Sequence, residues 1–236
     1  MKRRCFVISG TSRGIGYAIA DALLASGHFV YGISRSEPEG LSDHDNFRWL
    51  QVDLGDGAAS EAAMRRLLSS DTTIDGLINN AGSGLFGSLE EFSFSQIEQS
   101  LRINLLASIQ LTRLLISTLK RQARSDIVFI GSESALQGGR YGSLYSAAKF
   151  GLRGFAQALR HECSNSNTHV SIVNPGMVRS SFFDGLHFEP GEHADNALLP
   201  RDVADAVMTI INAPDHALID EINMTPLKRV ARKKGR

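Results

Sequence analysis

The chain has 236 residues, 42% hydrophobic and 21% charged, with 25 Lys+Arg against 25 Asp+Glu. A chain of this size buries roughly 70–75% of its unfolded surface, and its balanced composition excludes disordered, collagenous and coiled-coil classes. No apolar run approaches the ~18 residues of a membrane span, and Cys5 and Cys163 can form neither a disulfide framework nor a metal site, so the expectation is a cytoplasmic protein with free thiols.

The start, Met1-Lys2-Arg3-Arg4, imitates the charged part of a signal peptide. The apolar run behind it stops at Ser9-Gly10, and no small-residue cleavage site follows. Cys5–Ser9 reads as a first strand that runs through Ser9-Gly10-Thr11-Ser12-Arg13-Gly14-Ile15-Gly16 into a helical pattern over 14–26. Side chains at those glycines would block a sharp turn and keep a pyrophosphate from the backbone, while the helix N-terminus supplies N–H donors. An ordinary strand-to-helix connection accounts for the same residues.

The second strand, Phe29–Ile33, ends in Ser34-Arg35-Ser36 without an acid at its tip. NAD sites commonly place a carboxylate there, and NADP sites a basic residue for the 2′-phosphate. Arg35, Arg13 and the two serines therefore favour NADP, with Glu37 keeping NAD open. Next come a strand at Trp49–Val52, a helix over 58–69, a strand at Ile74–Ile78 and a long helical pattern over 95–121. A strand at Ile127–Ile130, a helix over 144–163 and a strand at Val170–Val173 follow. The stretch 176–200 shows no clear element, a helix covers 201–212, and Ala217–Ile222 is a last strand. Continuous apolar strands separated by helices indicate a parallel sheet covered on both faces. The expected architecture is a Rossmann-like doubly wound parallel α/β sheet of about seven strands in three α/β/α layers, one domain over 1–227.

Tyr145-Ser146-Ala147-Ala148-Lys149 puts Tyr145 and Lys149 one turn apart on one helix face, heading an apolar stripe through Leu152, Ala156 and Leu159. A phenol is a poor acid–base at neutral pH, and a neighbouring cation is expected to lower its pKa so that it can hand a proton to a carbonyl oxygen. Ser132 follows a strand at the carboxyl edge, where its hydroxyl can hold the same oxygen; Ser134 is an alternative. Asn104 lies beside the stripe Ile97, Leu101, Leu105, as a structural amide or a catalytic one. Met177, Phe182, Phe183, Leu186 and Phe188 in the long loop suggest a lid over an apolar pocket or a loop pinned to the body, with His187 and His193 as lesser candidates for substrate contact.

Residues 228–236 carry six basic side chains and no acid, a charge of +6, leaving 1–227 with 19 basic and 25 acidic side chains. The plain expectation is a solvated terminus; attraction to nucleic acid or anionic membrane is the alternative.

Taken together these residues resemble the short-chain dehydrogenase/reductase family. Gly10, Gly14 and Gly16 match its glycine-rich turn, with Ser9 in place of Thr. Asp53 matches its adenine-contacting acid, and Asn79-Asn80-Ala81-Gly82 its sheet-stabilising segment. Asn104, Ser132, Tyr145 and Lys149 match the catalytic tetrad, and the interval of thirteen from Ser132 to Tyr145 selects Ser132 over Ser134. Pro175-Gly176, with Ser180 replacing the usual Thr, matches the segment that holds the nicotinamide carboxamide.

The resemblance implies Tyr145 as acid–base, Lys149 on the nicotinamide ribose and lowering the tyrosine pKa, Ser132 orienting the substrate oxygen, and Asn104 keeping a relay water. It places NADP(H) on Gly10, Ser12, Arg13, Gly14, Ile15, Gly16, Arg35, Asp53, Leu54, Asn80, Ala81, Gly82, Tyr145, Lys149, Pro175, Gly176, Val178 and Ser180. It implies an NADP-dependent carbonyl reductase or alcohol dehydrogenase assembling as a homo-oligomer, a dimer or tetramer, without a membrane partner. The alternatives are a 3-oxoacyl-carrier-protein reductase-like enzyme and a non-catalytic NADPH sensor. The chain lacks the closing Asp-Gly-Gly of many such reductases, reading Ile219-Asp220-Glu221-Ile222-Asn223-Met224-Thr225-Pro226-Leu227 instead. That ending looks more like reductases of hydroxy acids and small carbonyl compounds.

Overall fold

The computed structural model describes residues 3–69 and 73–234. Met1 and Lys2 of the signal-like start, and the last two residues of the basic segment, lie outside the described residues. Strands β1 (Cys5–Ser9), β2 (Phe29–Ser34), β3 (Phe47–Gln51), β4 (Gly76–Asn79), β5 (Ser125–Ile130), β6 (Thr168–Pro175) and β8 (Glu221–Met224) form one sheet in the order β3-β2-β1-β4-β5-β6-β8. Every neighbouring pair is parallel. The helices are α1 (Gly14–Ala25), α2 (Gly57–Leu68), α3 (Phe94–Leu101), α4 (Ala107–Leu119), α5 (Ser143–Glu162) and α6 (Pro200–Ile211).

Alternate strand residues feed two separate cores, one on each face. Val7, Leu77, Ile127, Phe129 and Ile172 pack under α2, α4 and α5, through Met64, Leu111, Leu115, Leu152 and Ala156. Phe6, Ile8, Ile78, Val128 and Val173 pack under α1 and α6, through Ile19, Leu23, Val203 and Val207. Burying each such side chain is worth about 1.5–3 kcal/mol, which explains why these strands are apolar on both faces. At the amino edge Asp126, 1% exposed, takes the guanidinium of Arg4 and lies 3.4 Å from that of Arg124. Helix starts follow local chemistry. Asp56 accepts from the amides of Ala58 and Ala59 to cap α2, and Ser93 with Gln96 forms a capping box on α3.

Four expectations change. The helical pattern over 95–121 is two helices joined by a π-turn at Arg102–Leu106, which inserts one residue and swings Asn104 inward. The last sheet strand starts at Glu221 rather than Ala217: the ladder's first bond runs from the Ile172 amide to the Asp220 carbonyl, and before it the Ile219 carbonyl is taken by the Ser171 hydroxyl. The stretch 176–200 is built from short turns at Ser181–Phe183 and Ala194–Asn196 and from β7 (Phe188–Pro190). The basic terminus is not merely solvated: β9 (Ala231–Lys233) pairs antiparallel with β7. Among the described residues no helix is long and apolar enough to cross a membrane.

Candidate active site

The strand order reverses between β1 and β4, and the carboxyl ends of the central strands open a crevice there. The turn after β1 is shaped by contact as well as by dihedral angle. Gly10 and Gly14 have φ of +78° and +64°, in the left-handed region. A Cβ on Gly16 would lie 2.2 Å from the Gly10 oxygen and 2.4 Å from Asn80 Nδ2. Asn80 braces this turn from β4, donating to the carbonyls of Ser9 (3.0 Å) and Gly10 (3.1 Å), while Ser9 Oγ accepts from the amides of Asn80 and Ala81. The residue before α1, Arg13, makes no side-chain capping bond to its first turn. A dinucleotide phosphate fits this cradle, which side chains would fill.

At the tip of β2 the Ser34 hydroxyl donates to the Ser36 carbonyl and accepts from Trp49 Nε1. Ser34 is thus structural and buried, contrary to its expected part in holding a phosphate. Arg35, Ser36 and Glu37 are exposed. Arg13 is exposed too and lies 3.7 Å from Asp184 of the lid. Asp53 accepts from the Gly55 amide, fixing the turn that carries Leu54. Pro175 ends β6, the Gly176 amide donates to the Met224 carbonyl, and Val178 bridges to Leu198. Ser180 Cβ sits 3.6 Å from where a Cβ on Gly14 would be, so the lid starts beside the glycine turn.

Ser132, Tyr145 and Lys149 converge from two elements. Ser132 stands just past β5, and Tyr145 and Lys149 head α5. Tyr145 is 8% exposed and Lys149 4%. Lys149 Nζ donates to the Ile130 carbonyl at 2.9 Å and lies 5.7 Å from the Tyr145 ring centroid. Burial pushes the phenol up to about 12, helped by the Glu133 carboxylate and opposed by a hydrogen bond with Ser132. Burial likewise pushes Lys149 down to about 8. Burial is the largest influence on the phenol, and Lys149 beside it is itself desolvated. Asn104 donates to the carbonyls of Ser83 and Ser100 and accepts from the Ser83 amide, all at 3.0 Å. Its side chain ties down the loop after Gly82.

An aromatic wall covers the phenol. Phe86 and Phe182 pack on the Tyr145 ring at 5.2 and 5.8 Å, and Phe183 and Phe188 continue the cluster. Sequence reading missed Phe86, a lone aromatic in a glycine-rich loop whose only signal was its place after the β4 tip. It also missed Tyr141, whose φ of 62° is strained for a non-glycine residue and whose carbonyl accepts from the Gly87 amide. The side chains of His187 and His193 show no role, but both carbonyls hold the lid, accepting from the Lys234 amide and the Arg179 guanidinium. An open concavity of about 600 Å³ around Met208, Asn212 and Ile219 lies past the end of α6, at the opposite edge of the sheet.

Residues 4–187 match the family described as short chain dehydrogenase. A 3-ketodihydrosphingosine reductase from Bacteroides thetaiotaomicron is 29% identical over 199 residues, covering 84% of this chain and 73% of that protein. A ketoacyl reductase from Nostoc sp. is 30% identical over 232 residues, covering 94% and 79%. The crystal structure of an alcohol dehydrogenase from the archaeon Thermococcus sibiricus superposes with a TM-score of 0.86 at 24% identity, covering 97% of this chain and 99% of that one.

Proposed function

This chain belongs to the short-chain dehydrogenase family of oxidoreductases, and from that premise we propose that it interconverts a small apolar carbonyl compound and its alcohol with NADP(H), Tyr145 serving as the acid–base. The observation that carries this reading is the convergence of Ser132, Tyr145 and Lys149 at the carboxyl edge, beside a glycine cradle at a helix start without a side-chain cap. When bound, the coenzyme supplies or accepts the hydride. Gly10, Ser12, Gly14, Ile15 and Gly16 would hold its pyrophosphate, Asp53 and Leu54 its adenine, and Ala81, Gly82, Lys149, Pro175, Gly176, Val178 and Ser180 its nicotinamide half. Arg35 and Arg13 would take the 2′-phosphate, since no acid stands at the β2 tip to repel it.

The protein's own part is proton handling and exclusion of water. A phenol raised by burial keeps its proton at neutral pH, which is the form a donor to a carbonyl oxygen needs. Ser132, whose hydroxyl opposes the phenol's rise, is set to hold the same oxygen. Lys149 Nζ, fixed on the Ile130 carbonyl, brings positive charge beside any phenolate that forms. Asn104 acts by positioning the 82–83 loop. The aromatic wall supports an apolar substrate, and the named relatives, a ketosphingosine reductase and a ketoacyl reductase, support reduction as the working direction. Buried, unpaired Cys5 and Cys163 accord with a cytoplasmic setting.

The test is a screen of NADPH consumption against ketones, aldehydes and 3-oxo acids, followed by Tyr145→Phe. The variant should bind NADPH with unchanged affinity and lose at least ~10²-fold in kcat. Near wild-type turnover would remove Tyr145 from the chemistry, and equal affinities for NADPH and NADH would remove the phosphate role of Arg35.

A further inference from the structure

We propose that the basic C-terminal segment is a releasable latch on the lid, in which Arg232 acts as a positioning residue: through Glu189 and Glu192 it sets how firmly Phe182, Phe183 and Phe188 close over Tyr145. The inference rests on the reading of that site as catalytic, and its structural half can be tested without turnover.

The two segments are complementary in charge. Residues 184–195 of the lid contain Asp184, Glu189, Glu192 and Asp195 and no Lys or Arg, while 228–234 contain five basic side chains and no acid. The contacts follow that complementarity. Arg232 stands opposite Glu189 in the β7–β9 register, bonds its carboxylate at 2.7 Å, and also pairs with Glu192. Lys228 bonds Asp195 at 2.8 Å, and each holds the other in its charged form, Asp195 below the usual carboxylate range and Lys228 above the usual amine range. Lys234 donates to the carbonyl of Phe183, the lid aromatic beside Phe182. On the opposite side of the crevice Arg229 lies 3.8 Å from Glu133, the residue after Ser132. The segment therefore spans from the lid to the catalytic turn.

Backbone pairing is too short to hold this closure alone. β7 and β9 share a three-residue register, flanked by the Gly191 amide donating to Val230 and the Lys234 amide to His187. An isolated two-stranded ribbon of that length is marginal in water. The ion pairs, exposed enough to be screened by salt, thus decide how often the ribbon opens. Opening matters because the phenol lies under Phe86 and Phe182, so substrate reaches it only when the lid lifts. One exposed pair shifts such an equilibrium by about 1.5- to 5-fold, and the two pairs on Arg232 together by about tenfold.

Hydrogen exchange of residues 186–192 in the full chain, at about 0.05 M and about 0.5 M salt, reads the latch directly. Wild type should exchange the Gly191 amide about tenfold faster at the higher salt. Arg232→Gln should exchange fast at both, Arg232→Lys should fall between, and Arg232→Glu with Glu189→Arg and Glu192→Arg should restore slow exchange. KM for the carbonyl found in the screen should follow the same order, rising about tenfold in Arg232→Gln while kcat stays within about twofold. Slow exchange in Arg232→Gln at both salts would overturn the latch. Exchange that responds while KM stays flat would overturn the positioning role. A responsive latch in a protein that reduces no carbonyl would support the latch and defeat the catalytic reading instead.

Discussion

Gly16→Ala should cripple the molecule through a single methyl group. The added Cβ would stand 2.2 Å from the Gly10 oxygen, 2.9 Å from the Gly10 carbonyl carbon and 2.4 Å from Asn80 Nδ2. Both Gly10 atoms are backbone, so the turn and α1 must separate. Overpacking of this kind costs about 1–3 kcal/mol. Displacing Asn80 from its bonds to Ser9 and Gly10 removes about 1 kcal/mol for each bond lost. Against this stands a gain of about 1 kcal/mol from alanine's helix propensity, leaving a net loss of about 3 kcal/mol. For a chain of this length that lowers Tm by about 6–12 °C. Gly154→Ala is the matched control: Gly154 is exposed within α5, with nothing within 4 Å of its added methyl. The same substitution there should raise Tm by about 1–4 °C. Thermal melts of the two variants beside wild type, with NADPH titrations, check the pair. A Gly16→Ala protein melting with wild type and binding NADPH as tightly would refute the cradle geometry.

The remaining predictions concern buried charge. Lys149, lowered from 10.5 to about 8 by burial, holds its proton less tightly in the folded chain than in the unfolded one. Between those two values the unfolded state carries the extra proton, so the Lys149 contribution to stability should rise with pH from about 8 to about 10, opposed above about 9 by Cys5, whose buried thiol keeps its proton. Below pH 8 the desolvation of Lys149 is a penalty of about 3 kcal/mol, which Lys149→Met removes. Denaturant melts of both proteins should show the variant's advantage shrinking across that window, and a pH-independent difference would disprove the assignment. Above pH 10 Tyr145, raised to about 12, acts in the opposite sense, its folded form retaining a proton that the unfolded chain has lost. Asp126→Ala should destabilise the fold by about 3–5 kcal/mol, because it leaves the guanidinium of Arg4 at the amino edge without its carboxylate, while Arg124 keeps Asp215 at 2.7 Å. A denaturation midpoint within error of wild type would show that Arg4 finds another partner.

Much of this molecule is legible from its sequence because the governing interactions are local or periodic. Apolar strands such as Phe6-Val7-Ile8 and Ile127–Ile130 reveal a sheet covered on both faces, since only double burial selects against alternation. The glycines of 10–16 and the one-turn spacing of Tyr145 and Lys149 announce their geometry because a steric or helical rule reads directly on neighbouring residues. What depends on residues far apart in the chain was decided only by the fold. Lys149 proved to be bonded to Ile130 and to lie under a desolvated phenol, because burial is set by Phe86 and Phe182, contributed from two distant loops. Ser34 was lost to Trp49, fifteen residues on, and Asn104 to Ser83 across a π-turn that no apolar period reveals. The basic terminus is the clearest case. Its composition fits a solvated tail, and only the arrival of Glu189, Glu192 and Asp195 beside Arg232 and Lys228 ties it to the lid, because ion pairing depends on distance in space, not in sequence.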